Sequence, residues 1–111
     1  MYYHMVVGSV DDIFHALADG TRRDIVERTL QTEYSVSALA RFYPMTFAAV
    51  QKHVVVLERA TLVTKRKHGR EMLVTGNVDS VRRAARLLDD LESVWRARIN
   101  RMDAILGEDP A

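Results

Sequence analysis

Three consecutive polar side chains, Gln51, Lys52 and His53, interrupt an apolar spine of Val50, Val54 and Leu57. The spine recurs at i, i+4 and i+7, the spacing of one helix face, so the polar three must point largely elsewhere. A glutamine amide can pair with an adenine edge in a major groove, and a lysine can reach guanine or phosphate. Thr46, where such a helix would begin, can bond a phosphate. Shortly afterwards come Lys65, Arg66, Lys67 and Arg70, gathered around His68 and Gly69. Each feature has a bland reading: a wet helix face, and a solvated basic edge that discourages sheet aggregation. Their adjacency favours the other reading, a surface that reads base edges and grips phosphates.

The charge distribution agrees with that reading. The chain of 111 residues has a net charge of only +1. Residues 1–40 hold three basic and six acidic side chains, residues 41–76 seven basic and two acidic, and residues 77–111 six basic and seven acidic. The positive charge is concentrated in the middle third, and a local basic surface attracts polyanions whatever the overall balance. Thr21, Arg22 and Arg23 could either cap a helix or touch a phosphate. Arg82, Arg83 and Arg86 read best as a solvated face.

Other chemistries find little support. There is no cysteine, hence no disulfide, no thiolate metal ligand and no thiol nucleophile. No paired carboxylates, phosphate-loop glycines or serine–histidine arrangement suggest an enzyme. The longest apolar run, Val54 to Leu57, is far too short to span a bilayer. The first residues lack the pattern of a secretion signal, so a cytoplasmic protein with no membrane partner is expected. His4 and His15 read as surface or interface residues rather than as a metal pair.

The elements that must position the basic surface follow from period and punctuation. The length suits one domain over residues 1–111. Ser9 can cap a first helix whose apolar face is Val10, Ile13, Phe14 and Leu17, with Gly20 ending it. Thr21 is expected to open a second helix, with Asp24 at the capping-box position and Ile25, Val26, Thr29 and Leu30 inward. Ser37 is expected to open a short third helix that Pro44 closes. Thr46 should cap a fourth, running to about Ala60. Two short helices joined by a tight turn, the second with a polar exposed face, form a helix-turn-helix. Leu62 to Lys67 and Arg70 to Thr75 then change to strand period, with His68-Gly69 at the turn: a basic hairpin, or wing. Asp79 should cap a last helix to about Leu106. Its apolar residues include Val81, Leu88, Trp95 and Met102, with Ala84, Leu91 and Ile105 interleaved and Arg98 as the break. A second stripe is Leu87, Val94 and Ile99. At about 40 Å it outreaches the body it belongs to. One stripe can pack on its own subunit; the other needs a partner, most simply a second copy. The expected fold is mainly α with a β-hairpin wing: a winged helix-turn-helix of five helices with a long C-terminal dimerisation helix. The DNA-binding core is 21–76, and residues 9–19 and 79–106 serve dimerisation.

In this order and spacing, four motifs resemble the ArsR family of bacterial winged helix-turn-helix repressors. They are Ala16-Leu-Ala-Asp-Gly-Thr-Arg-Arg23, Ser35-Val-Ser-Ala-Leu-Ala40, Val50-Gln-Lys-His-Val54 with Leu57-Glu58, and Leu62-Val63 leading into Lys65-Arg66-Lys67-His68-Gly-Arg70. The resemblance covers residues 11–106. It implies operator binding that represses transcription, and a homodimer through the first and last helices, here Phe14, Leu88, Leu91, Trp95 and Met102. It implies DNA contacts at Thr46, Phe47, Ala49, Gln51, Lys52, His53, Arg66, Lys67, His68 and Arg70. The chain departs from the family in three ways. Thr61 stands where glycine often forms a left-handed cap; threonine there would be strained by about 1 kcal/mol or more, which leaves room for a cap of another build. Phe47-Ala48-Ala49 replaces small hydroxyl residues at the start of the fourth helix, which bears on the operator sequence rather than the binding mode. Many members sense metals through cysteines or through Asp/His/Glu sets on the last helix. This chain has no cysteine, and residues 79–106 contain no histidine, so a metal-independent member without a cofactor is expected. Two alternatives remain open: a protein-interaction module that has lost DNA, and a repressor released by a small-molecule effector.

Overall fold

The computed structural model of the protein describes residues 9–107; His4 and Pro110 lie outside them. The elements in order are α1 (Val10–Leu17), α2 (Gly20–Gln31), β1 (Tyr34–Ser35), α3 (Val36–Ala40), α4 (Phe47–Arg59), β2 (Val63–His68), β3 (Glu71–Gly76) and α5 (Val78–Gly107). This is the winged helix-turn-helix arrangement of five helices, with β1 added to the wing hairpin. The sheet order is β1-β3-β2, antiparallel throughout.

Helix starts follow their hydrogen-bond donors. Ser9 accepts from the Asp12 amide at 3.2 Å and caps α1, as expected. For α2 the cap is Asp19, not Thr21. Its carboxylate accepts from the Arg22 amide at 3.0 Å, and Gly20 becomes the first helical residue instead of the terminator of α1. That amide bond, more than any other contact, holds the Asp19 carboxyl below the usual range. Asp24 therefore lies beyond capping reach. Ser35, not Ser37, caps α3 through the Ala38 amide. That helix ends at Ala40, before Pro44. Thr46 caps α4 through the Ala49 amide at 3.1 Å, as expected. Asn77 rather than Asp79 supplies the side-chain acceptor at the start of α5, taking the Asp79 amide at 3.1 Å.

The core is Ile13, Ile25, Leu39, Val50, Val54, Leu57, Leu62, Val63 and Val74, all buried. Thr29 is buried too; its hydroxyl donates to the Ile25 carbonyl, so no polar atom is stranded. Leu30, expected inward, is partly exposed. The hairpin turn is Gly69-Arg70, one residue later than expected, with His68 opposite Glu71. Gly69 has φ of 63°, and a two-residue turn of this kind wants glycine in its first position.

The end of α4 is a left-handed cap after all. Thr61 has φ of 62°. Its amide donates to the Glu58 carbonyl and that of Leu62 to the Leu57 carbonyl, both at 2.9 Å, the Schellman pattern. Three contacts hold the strained residue. The Ser80 hydroxyl donates to the Thr61 carbonyl at 2.6 Å, the Asn77 side-chain Nδ2 donates to it at 2.9 Å, and the Thr61 and Ser80 hydroxyls lie 2.8 Å apart. The C-terminus of α4 is thereby tied to the N-terminus of α5.

Helix α5 leaves the body early. Ser80 and Ala84 are buried and Val81 packs on the core. Leu88, Leu91, Val94, Trp95, Met102 and Ile105 are all exposed. The stripe of Leu87, Val94 and Ile99 is divided: Leu87 and Ile99 are half-buried and Val94 is exposed. Thirty residues make a rod of about 45 Å, and the chain accordingly measures 74 × 33 × 22 Å.

Candidate nucleic-acid interface

On α4 and its cap the exposed residues are Thr46, Phe47, Ala48, Gln51, Lys52 and Arg59. At about 100° per residue, Ala48 and Lys52 fall opposite the buried Val50, Val54 and Leu57, while Phe47 and Gln51 lie about 60° and 100° from Val50, on the flank that lines the groove toward the wing. Ala49 lies about 60° from Lys52, whereas His53 lies on the far flank, about 160° from Gln51. The structure sets His53 apart from the rest of the expected set. His53 is half-buried and its Nδ1 stands 3.3 Å from Nη1 of Arg22. A guanidinium only donates, so Nδ1 accepts and the ring is occupied on that side.

Arg22 does more than reach His53. Its Nε donates to the Ala16 carbonyl at 2.7 Å, and Arg23 donates to the Leu17 carbonyl at 2.7 Å. Both guanidiniums satisfy the orphan carbonyls at the end of α1, the structural option for this pair.

The wing divides its cations between two faces. Val63 and Lys65 face the body with Val74, and Lys65 pairs with Glu58 of α4 at 3.2 Å. Lys67, two residues on and opposite Met72, continues that face. Arg66 points the other way. It makes a bidentate bond to Glu33, at 3.0 and 3.2 Å, and Thr75 donates to the same carboxylate at 3.0 Å. The Arg66 bond, then that of Thr75, holds the Glu33 carboxyl below the usual range. His68 is exposed opposite Glu71, and Arg70 is exposed at the tip. Among the described residues Lys52, Lys67 and Arg70 have no ion-pair partner, whereas Lys65 and Arg66 do. Between α4 and the wing lies an open groove of about 270 Å³ lined by Phe47, Gln51, Lys65, Arg70 and Met72, among others. Met72 and Glu33 carried no signal in the sequence; their roles come from strand pairing and from contacts between distant segments.

The turn that presents α4 is anchored from behind. The Tyr43 hydroxyl donates to Oδ2 of Asp24 at 2.6 Å, and Arg28 donates to the same oxygen at 2.8 Å. The Arg28 guanidinium also lies 3.8 Å from the centroid of the Phe42 ring, a cation–π contact. The Tyr43 bond, then Arg28, depresses the Asp24 carboxyl, while burial and the Asp24 contact raise the Tyr43 phenol. A depressed carboxyl contributes stability above its unfolded value and loses it as pH falls through the folded one. Asp24 therefore contributes fully at neutral pH and fades below about pH 4. Replacing Asp24 by Ala should lower the melting temperature at pH 7 by about 5 °C, the loss of roughly one net hydrogen bond. The deficit should shrink at pH 3, and thermal melts at both pH values check it.

No protein-family model matches the chain. It is 41% identical over 87 residues to the HTH-type transcriptional regulator Rv2034 of Mycobacterium tuberculosis, covering 78% of each chain. An ArsR-like transcriptional regulator from Rhodococcus sp. RHA1 superposes with a TM-score of 0.75 at 29% identity, covering 86% of this chain and 91% of that one. The chain belongs to the ArsR family. A further structure, the homodimeric winged helix-turn-helix DNA-binding domain Mb0332 of Mycobacterium bovis, matches with a TM-score of 0.62 at 25% identity, covering 75% of this chain and 78% of that one. Among the described residues of this ArsR-family chain, no cluster of three or more His, Asp or Glu side chains could hold a metal ion, and no helix is long and apolar enough to cross a membrane.

Proposed function

We propose that the chain is a cytoplasmic, metal-independent repressor that binds a pseudo-palindromic DNA operator as a homodimer. One observation carries the DNA reading. Phe47 and Gln51 of α4 stand across a groove from Lys65 and Arg70 of the wing, and the exposed cations Lys52, Lys67 and Arg70 have no protein partner among the described residues. Such a surface fits a recognition helix in a major groove and a wing on the neighbouring backbone. Arg66 and His53 contribute less, because Glu33 and Arg22 already engage them. The exposed apolar side of α5 supports self-association, as does the homodimeric relative. The family supports repression. Metal independence rests on donor chemistry: no cysteine in the chain and no histidine in residues 79–106.

Two-fold symmetry places the half-sites about 10 bp apart or a small multiple of that. Three cations per protomer would make the logarithm of affinity fall with the logarithm of salt with a slope of about −5. Replacing Lys52 or Arg70 by Ala should weaken binding about tenfold or more and flatten that slope, while Arg66→Ala should change both little. Fluorescence anisotropy on a selected duplex across a salt series reads all three variants. A flat salt response in the parent chain would sink the proposal.

A further inference from the structure

Large apolar side chains left in water usually have a reason. Among the described residues, most of those on this chain do. Leu88, Leu91, Val94, Trp95, Met102, Ile105 and Leu106 belong to α5. Phe42 holds the Arg28 guanidinium and packs edge-on to Tyr34. Leu30 lies against Gly76. Phe47 is different. It is the first residue of α4, 48% exposed, and among the described residues no ring or cation contact engages it. It sits one helical turn before Gln51, and both line the groove that faces the wing. Ala48 beside it adds a second small apolar surface.

We infer that Phe47 is a specificity-determining residue that packs on the 5-methyl group of a thymine, next to the adenine that Gln51 addresses. The inference rests on the DNA-binding reading and deepens it. The major groove offers one apolar feature, the thymine methyl, and a phenyl ring at the start of a recognition helix matches it. Phe47 has no donor or acceptor to satisfy, so a base edge bearing only polar groups gains nothing from it and is desolvated by it. Four residues of helix span about 6 Å, close to two base-pair steps of about 3.4 Å each. The thymine should therefore lie within about two base pairs of that adenine in each half-site. Cytosine at the same place presents an amino donor and no methyl, and it should be excluded.

Deoxyuridine tests this directly, because it removes the methyl and keeps every hydrogen bond of thymine. A random duplex pool is selected on the full-length chain, and the best duplex is remade with deoxyuridine at each thymine in turn. The expected result is a three- to fivefold loss at one thymine per half-site, about the worth of one buried methyl group. In Phe47→Ala the thymine and uracil duplexes should bind equally. Restoring the methyl as 5-methylcytosine should recover part of the loss that unmethylated cytosine causes. If wild-type chain binds the duplex with a steep salt response but ignores every uracil, the inference is overturned while DNA binding stands. If Phe47→Ala keeps the uracil penalty, the methyl is read by another residue and the assignment falls. If the pool yields no salt-sensitive duplex, the DNA-binding reading itself fails and takes this inference with it.

Discussion

Replacing Leu91 and Trp95 together by aspartate is expected to leave a folded monomer that has lost at least a hundredfold in affinity for its operator. The two residues lie four apart on α5, on one face with Leu88 and Met102, and all four are exposed in the single chain. Only the first turns of α5 pack on the body, through Ser80, Val81 and Ala84. Charges placed further out cannot disturb the chain's own core, yet they would sit unpaired inside a dimer interface, where burying them is prohibitive. DNA binding would suffer through geometry alone. A dimer offers its second recognition helix at a high effective concentration once the first has docked, a gain of about two to four orders of magnitude. A monomer keeps its Lys52, Arg70 and groove and loses that gain. Sedimentation equilibrium and duplex titration of the same preparation provide the check. A variant that remains dimeric, or a monomer that binds undiminished, would show that α5 is not the interface that matters.

The second large effect concerns stability. Gly76 closes β3 opposite Val63, and a Cβ there would lie 2.8 Å from both the backbone nitrogen and Cγ of Leu30. The side chain of Leu30 could swing aside; its backbone could do so only if α2 moved away from the strand. Overpacking of this kind costs about 2 kcal/mol, and Gly76→Ala should lower the melting temperature by roughly 10 °C at fixed protein concentration. Because β3 carries one side of the wing, DNA affinity should fall as well. Gly69→Ala is the instructive control. Gly69 has φ of 63° but nothing within 4 Å of an added Cβ. Its penalty is backbone strain alone, about 1 kcal/mol, and the wing keeps its seat. Equal melting temperatures for Gly76→Ala and the parent would show that α2 and β3 are not wedged together at this point.

These effects turn on contacts of very different legibility. The apolar spine of α4, the cap at Thr46 and the basic middle third could be read along the chain, because helix period, side-chain capping and local charge are properties of neighbouring residues. Cap positions shifted where two candidates stood within two residues of one another. Asp19 and Thr21 are both acceptable, as are Ser35 and Ser37, and the choice falls to whichever the packed helix brings to its free amides. Thr61 shows the reverse. Local preference argued against threonine in a left-handed cap, and contacts from Asn77, just before the next helix, and Ser80, in its first turn, hold it there.

The basic surface, Gln51 to His53 and the cations around Gly69, was thus determined by the sequence in its composition and approximate place. Which of its members are available for DNA was decided only by the tertiary structure. Arg66 meets Glu33 across 33 residues of chain, and His53 meets Arg22 across 31. Lys52, Lys67 and Arg70 meet no carboxylate among the described residues. No periodicity encodes such pairings. They depend on how separate elements pack, and a charge already neutralised by its neighbour has less to offer a phosphate than one left facing water.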